Sequence, residues 1–93
     1  MKIDHEENKK KGSFYIDEGG ERIAEIQYFH SGEGQITIYH TEVDPKLRGE
    51  GIGEDLVDRA VNFAKENDLK IVATCPYARK VIERNPEHAR FLA

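Results

Sequence analysis

At 93 residues the chain is long enough for one domain. Charged residues make up 34% of it and hydrophobic ones 38%, a polar balance that still holds too much Ile, Val, Phe and Tyr for a disordered chain. With 14 Lys+Arg against 18 Asp+Glu the formal net charge is −4, which argues against sequence-independent binding to nucleic acid, an interaction that needs excess positive charge. No stretch approaches the ~20 apolar residues of a membrane span, and residues 1–12 lack the apolar core of a signal peptide. A single cysteine excludes an internal disulfide framework and a cysteine-based zinc site, and points to the reducing cytoplasm.

Residues 1–12 are polar and carry Lys9-Lys10-Lys11 before Gly12. They read as a flexible arm ahead of a single domain spanning residues 13–93. Ser13 to Asp17 is rich in strand formers, Glu18-Gly19-Gly20-Glu21 signals a turn, and Arg22 to Phe29 alternates as a second strand, so the pair predicts a hairpin. After a second turn at residues 30–34, Gln35 to Val43 is the clearest strand. Strict alternation places Ile36, Ile38 and His40 on one face and Thr37, Tyr39 and Thr41 on the other.

At Asp44-Pro45 the pattern changes. Ile52, Leu56, Ala60, Phe63 and Ala64 recur at helical spacing opposite a charged face, which predicts an amphipathic helix from Gly51 to Asn67. Leu69 to Cys75 hardly alternates, as in a strand covered on both faces. Pro76 suits the first turn of another helix, with Tyr77, Ala78, Val81 and Ile82 as its apolar positions and Asn85-Pro86 as its end. The order β-β-β-α-β-α predicts a mixed α+β fold in which an antiparallel meander continues into a right-handed parallel strand–helix–strand crossover within one sheet.

The segment most informative about function is Arg48-Gly49-Glu50-Gly51-Ile52-Gly53, between the clearest strand and the clearest helix. Glycines there let a ligand approach backbone N–H groups closely. Those N–H groups lack intrahelical partners and sit at the positive end of the helix dipole, so with the Arg48 guanidinium they form an anion site. The spacing fits neither a dinucleotide fingerprint nor a Walker loop, which disfavours NAD and ATP. A glycine-rich turn that only connects strand and helix is the alternative.

These residues resemble the acetyl-CoA signature of the GNAT acetyltransferase superfamily. Arg48, Gly51 and Gly53 match its Arg/Gln-x-x-Gly-x-Gly/Ala core, with Val43-Asp44-Pro45 before it and a helix after it. The chain as a whole is similar to the short single-domain members, often called YjdJ-type, over roughly Ser13 to Ile82. The resemblance implies an N-acetyltransferase that uses acetyl-CoA and a primary amine acceptor. The Arg48–Gly53 amides would hold the CoA pyrophosphate, and pantetheine would lie between strands ending near Val43 and Cys75. A backbone N–H within Thr41-Glu42-Val43 would polarise the thioester carbonyl. The chain departs from the family in two ways. Only Glu18 to Glu21 separates two strands where larger members insert two helices, which leaves the acceptor side open. In addition, Glu50, Glu54 and Asp55 surround the expected phosphate site.

Beside the loop, Cys75 ends a strand ahead of Pro76, where a helix N-terminus favours a thiolate. In the family fold it would lie near the acetyl group, as a transient acetyl carrier or as an inert packing residue. The resemblance gives Tyr77 the task of protonating the leaving thiolate. His40 is a candidate base, and Arg79 and Lys80 are candidate partners of the CoA 3′-phosphate. His5, His30 and His88 are scattered and form no metal-ligand spacing. Two further readings stay open here: a CoA-binding module without efficient turnover, and a protein-interaction domain in which the loop is structural.

Overall fold

The computed structural model describes residues 2–93. Five strands form one sheet in chain order: β1 (Asp4–Glu7), β2 (Lys11–Glu18), β3 (Glu21–Gly32), β4 (Gln35–Val43) and β5 (Lys70–Ala73). The first four pair antiparallel, and β4 pairs parallel with β5. Helix α1 (Ile52–Glu66) crosses from β4 to β5, α2 (Pro76–Arg84) follows β5, and a short α3 (Pro86–Ala89) precedes the C-terminal residues. The expected meander, parallel crossover and mixed sheet are therefore present.

The core follows from the two apolar patterns. Leu56, Val57, Ala60, Val61 and Ala64 of α1 are buried together with Ile26 of β3, Ile36 and Ile38 of β4 and Ile71 of β5. Ala78, Val81 and Ile82 bring α2 into the same cluster. Asn85 ends α2, and its side chain accepts from the Glu87 amide to start α3. No helix among the described residues is long and apolar enough to cross a membrane.

The structure departs from the sequence expectations in three places. First, residues 4–7, read as part of a flexible arm, form β1, paired with Gly12 to Tyr15 of β2. No apolar alternation announces this strand because polar bonds hold it. The His5 ring stacks on Phe14 with centroids 4.1 Å apart, and its Nε2 lies 2.7 Å from the buried Tyr28 hydroxyl. That hydroxyl donates to Glu7 Oε2 at 2.7 Å, and His30 Nε2 reaches the same oxygen. Gly12 leaves the space the Tyr28 ring needs, since a Cβ there would overlap the hydroxyl.

Second, the closing residues run beside β5. Ile71 N donates to Phe91 O and Ala93 N to Ile71 O, both at 2.8 Å, which covers the sheet edge. Third, a β-bulge interrupts β4. Tyr28 pairs with Ile38 but Gln27 pairs with His40, so Tyr39 is the extra residue. The side-chain phase shifts there. Thr41 and Val43, opposite Ile26 and Ala24, join the face of Ile36 and Ile38, while His40 turns to the outer face. The expected grouping of His40 with Ile36 and Ile38 is corrected accordingly.

The polar cluster makes stability depend on pH. Shielding of the His5 ring from water lowers its pKa; the Glu7 charge opposes this and the Arg59 charge adds to it. At Glu7, burial pushes the carboxyl up, but the hydrogen bonds from His30 and Tyr28 outweigh it and hold the pKa below its ordinary value. Both folded pKa values are depressed, so the unfolded chain takes up each proton first. The stabilisation is complete above the unfolded values and is lost as the pH falls through the folded ones. Urea denaturation between pH 8 and 3 is expected to show stability falling on acidification, first for His5 and then, at lower pH, for Glu7. Tyr28→Phe should cost about 1 kcal/mol at pH 7, at the low end for a lost buried hydrogen bond because Glu7 and His5 regain water, and should flatten the acid dependence. A pH dependence unchanged in Tyr28→Phe would disprove the coupling.

Candidate functional site

The site begins where β4 and β5 part. Their pairing runs from Gln35/Lys70 to Ile38/Ala73 and stops. The Ile38 carbonyl accepts from both Thr74 N at 3.0 Å and Cys75 N at 3.3 Å, after which the chain turns into α2. β4 continues to Val43, bonded on one side only. Asp44 N donates to Ile23 O at 2.8 Å. Because bonded positions alternate along an antiparallel ladder, the amides of Glu42 and His40 also turn toward β3. Those of Thr41 and Val43 turn toward the gap that β5 has left.

The glycine loop closes the other end of this gap. The Asp44 side chain accepts from Lys46 N at 2.9 Å and starts a 3₁₀ turn, Pro45–Leu47. Gly49 and Gly51 then adopt left-handed backbone, with φ of 84° and 74°, which only glycine takes without strain. The first backbone bond of α1 is Asp55 N to Gly51 O. The amides of Gly49, Gly51, Ile52, Gly53 and Glu54 have no acceptor within the described residues, as expected at a helix start. Thr41, Val43, Arg48, Gly51, Gly53 and Tyr77 line a single cleft of about 520 Å³.

Most of the candidate residues from the sequence therefore meet. Gly49 and Ile52 also line the cleft. Cys75 is the N-cap residue of α2 and is 7% exposed; its Sγ donates to Thr41 Oγ1 at 3.5 Å. Tyr77, 45% exposed, lies across the start of α1: a Cβ on Gly53 would overlap its hydroxyl and come within 2.9 Å of its Cζ. Burial raises the Tyr77 pKa, the Glu54 charge raises it further, and the Arg84 charge opposes them.

Other candidates lie elsewhere. His40 and Glu42 face away from the cleft on the outer sheet surface, 3.4 Å apart, and no hydrogen bond joins His40 to Cys75. Glu50 lines a separate depression with Ile3, Ile16 and Asp55. Arg79 pairs with Glu83 at 3.1 Å on the exposed side of α2, Lys80 is exposed beside it, and neither lines the cleft. One lining residue, Leu47, was missing from the expected site, and Glu54, expected beside the phosphate site, lines the cleft as well. Leu47 had a signal, as the one large apolar side chain in the polar connection before the glycines. Among the described residues no three His, Cys, Asp or Glu side chains converge as metal ligands.

Residues 13–91 match the family model of GCN5-related N-acetyl-transferases. The chain is 31% identical over 86 residues to protein NATD1 of Xenopus tropicalis, covering 92% of this chain and 78% of that one. A GCN5-like protein from Staphylococcus aureus, solved by NMR, shares 33% identity and a TM-score of 0.75 over 97% of this chain and 87% of that chain. The ribosomal-protein-S18-alanine N-acetyltransferase of Escherichia coli has a TM-score of 0.67 over 84% of this chain and 53% of its own; at 14% identity this is a likeness of fold.

The contact between Gly53 and Tyr77 gives a direct test. In Gly53→Ala the new methyl group has to displace the phenol, which is half-exposed and free to swing out. Stability should change by less than ~1 kcal/mol, while the Tyr77 ring resonances shift and the ring becomes more accessible. Unchanged Tyr77 resonances in a folded Gly53→Ala protein would show that the ring does not rest on α1 in solution.

Proposed function

The chain belongs to the GCN5-related N-acetyltransferase family, and we propose that this acetyltransferase takes acetyl from acetyl-CoA and delivers it to a primary amine. The observation that carries the proposal is that one cleft gathers the unpartnered amides of Gly49, Gly51, Ile52, Gly53 and Glu54 at the helix start and those of Val43 and Thr41 on β4. The loop amides and Arg48 suit the CoA pyrophosphate. Val43 offers its backbone N–H and C=O to the amides of pantetheine, as a neighbouring strand would. When bound, acetyl-CoA supplies an activated thioester.

In this reading the Thr41 N–H donates to the thioester oxygen and holds it more strongly as negative charge develops during amine attack. Tyr77, whose pKa is raised above that of an ordinary phenol, keeps its proton at neutral pH and gives it to the departing thiolate. Among the described residues no histidine or carboxylate is bonded to the Cys75 sulfur, which favours direct transfer over a covalent acetyl-cysteine. On the outer face, His40 beside Glu42 is the base candidate for the incoming ammonium. A free thiol next to the site suits a reducing cytoplasm.

Isothermal titration with acetyl-CoA, CoA, NAD and ATP is the first test. Acetyl-CoA and CoA should bind with similar affinity because the loop meets the pyrophosphate they share. Gly51→Val should weaken both at least ~10-fold, since a β-branched residue resists a φ of 74°. NAD binding as tightly as CoA would overturn the reading. CoA release with a panel of primary amines then tests turnover, with Tyr77→Phe lowering kcat more than it changes acetyl-CoA affinity.

The two glutamates near the loop should behave differently. Glu54 lines the cleft and Glu50 the depression behind it. Glu54→Gln is expected to tighten CoA binding ~2–5-fold at low salt, a gain that shrinks as salt screens the repulsion over about 8 Å. Glu50→Gln is expected to leave affinity within ~1.5-fold. Equal effects of the two substitutions would mean that both carboxylates face the bound phosphates.

A further inference from the structure

We propose that the wedge formed by Ile38, Thr41 and Cys75 restricts the acyl donor to acetyl; this rests on the acetyl-CoA reading above and adds the size of the transferred group. Three contacts define the wedge. The Ile38 carbonyl takes the amides of both Thr74 and Cys75, which fixes the point where β4 and β5 separate. Cys75 Sγ then reaches Thr41 Oγ1 at 3.5 Å. Residue 75 therefore touches β4 at positions 38 and 41 and spans the bulge between them.

The open cleft includes Val43 and Thr41 but not Cys75, which is 7% exposed. A donor extended along β4 from the glycine loop meets Val43 first and Thr41 second. With its carbonyl at the Thr41 amide, the alkyl end points into the narrowing gap where the sulfur lies. Cys75 belongs to the same buried cluster as Ile38 and Ala78, at 0% exposure, and Ala73, at 5%, and such interiors are close-packed. A methyl group ends at the sulfur. Each further methylene has to displace it.

Discrimination of one methylene in a close-fitting apolar pocket is worth roughly 10–200-fold, so a sulfur-to-hydrogen truncation at residue 75 is expected to shift the preference visibly. The experiment measures dissociation constants of CoA, acetyl-CoA, propionyl-CoA and butyryl-CoA by titration calorimetry. The proteins are the wild type, Cys75→Ser, Cys75→Ala and Cys75→Val, each checked for folding by thermal melting. The wild type should bind propionyl-CoA at least ~10-fold more weakly than acetyl-CoA; Cys75→Ser, whose oxygen is smaller than sulfur and bonded closer to Cβ, should fall between the wild type and Cys75→Ala. Cys75→Ala should bring propionyl-CoA within about 2-fold of acetyl-CoA and leave butyryl-CoA weak. Cys75→Val works in the opposite direction: acetyl-CoA should lose affinity while CoA keeps it. Should Cys75→Ala unfold, the Cys75→Val result decides alone. Propionyl-CoA binding as well as acetyl-CoA in the wild type, or a gap unchanged by Cys75→Ala and Cys75→Val, overturns the role of the wedge. Absence of CoA binding in the wild type overturns the acetyl-CoA reading itself, an outcome distinct from bound CoA without acyl discrimination.

Discussion

The Ile38 carbonyl is the hinge of the molecule. It receives two amides, from Thr74 and Cys75, where a continuing parallel strand would place only one. The second bond marks the turn of the chain away from the sheet. Four residue pairs of parallel ladder then suffice to hold β5, and five further residues of β4 extend beyond it with one edge bare. An unpaired strand edge is ordinarily a liability. Here the bare edge is short, and it faces the cleft lined by the glycine loop and Tyr77. The amides of Thr41 and Val43 are left facing the cleft without a strand partner.

The bulge at Tyr39 complements this parting. In a regular β4, His40 would share the core face with Ile38, and Thr41 would look outward. One inserted residue reverses the phase, so Thr41 and Val43 face the cleft and His40 and Glu42 face the outer surface. The strand therefore presents its backbone donors to one side of the gap and its titratable side chains to the other. In the function proposed above, this division would separate polarisation of the thioester carbonyl from uptake of the amine's proton.

How much of this the sequence reveals depends on the kind of force involved. Gln35–Val43 matched its observed limits, and α1 came within a residue at each end, because apolar periodicity reports burial directly. The loop was legible for a local reason as well, since Gly49 and Gly51 need positive φ and Gly53 needs to lack a Cβ. β1 was not legible. Asp4-His5-Glu6-Glu7 is polar throughout, and what fixes it is the Tyr28 hydroxyl, 23 residues from His5. The bulge was hidden because QITIYHTEV alternates acceptably with or without a phase shift. The approach of Cys75 to Thr41, at a separation of 34 residues, depends on where the parallel ladder ends, which no local pattern encodes.

Gly53 joins the stability of the fold to the chemistry of the site. It is the second residue of α1, where an alanine would favour the helix by up to ~1 kcal/mol. The chain forgoes that gain, and the space goes to the Tyr77 hydroxyl from α2. A glycine at this point of the signature could be explained by close approach of phosphate alone. The Tyr77 contact adds a separate demand from inside the protein: the phenol is lodged against the start of α1, with Glu54 near enough to raise its pKa. In the function proposed above, the same helix start would offer its amides to the pyrophosphate and set the position of the phenol that protonates the leaving thiolate.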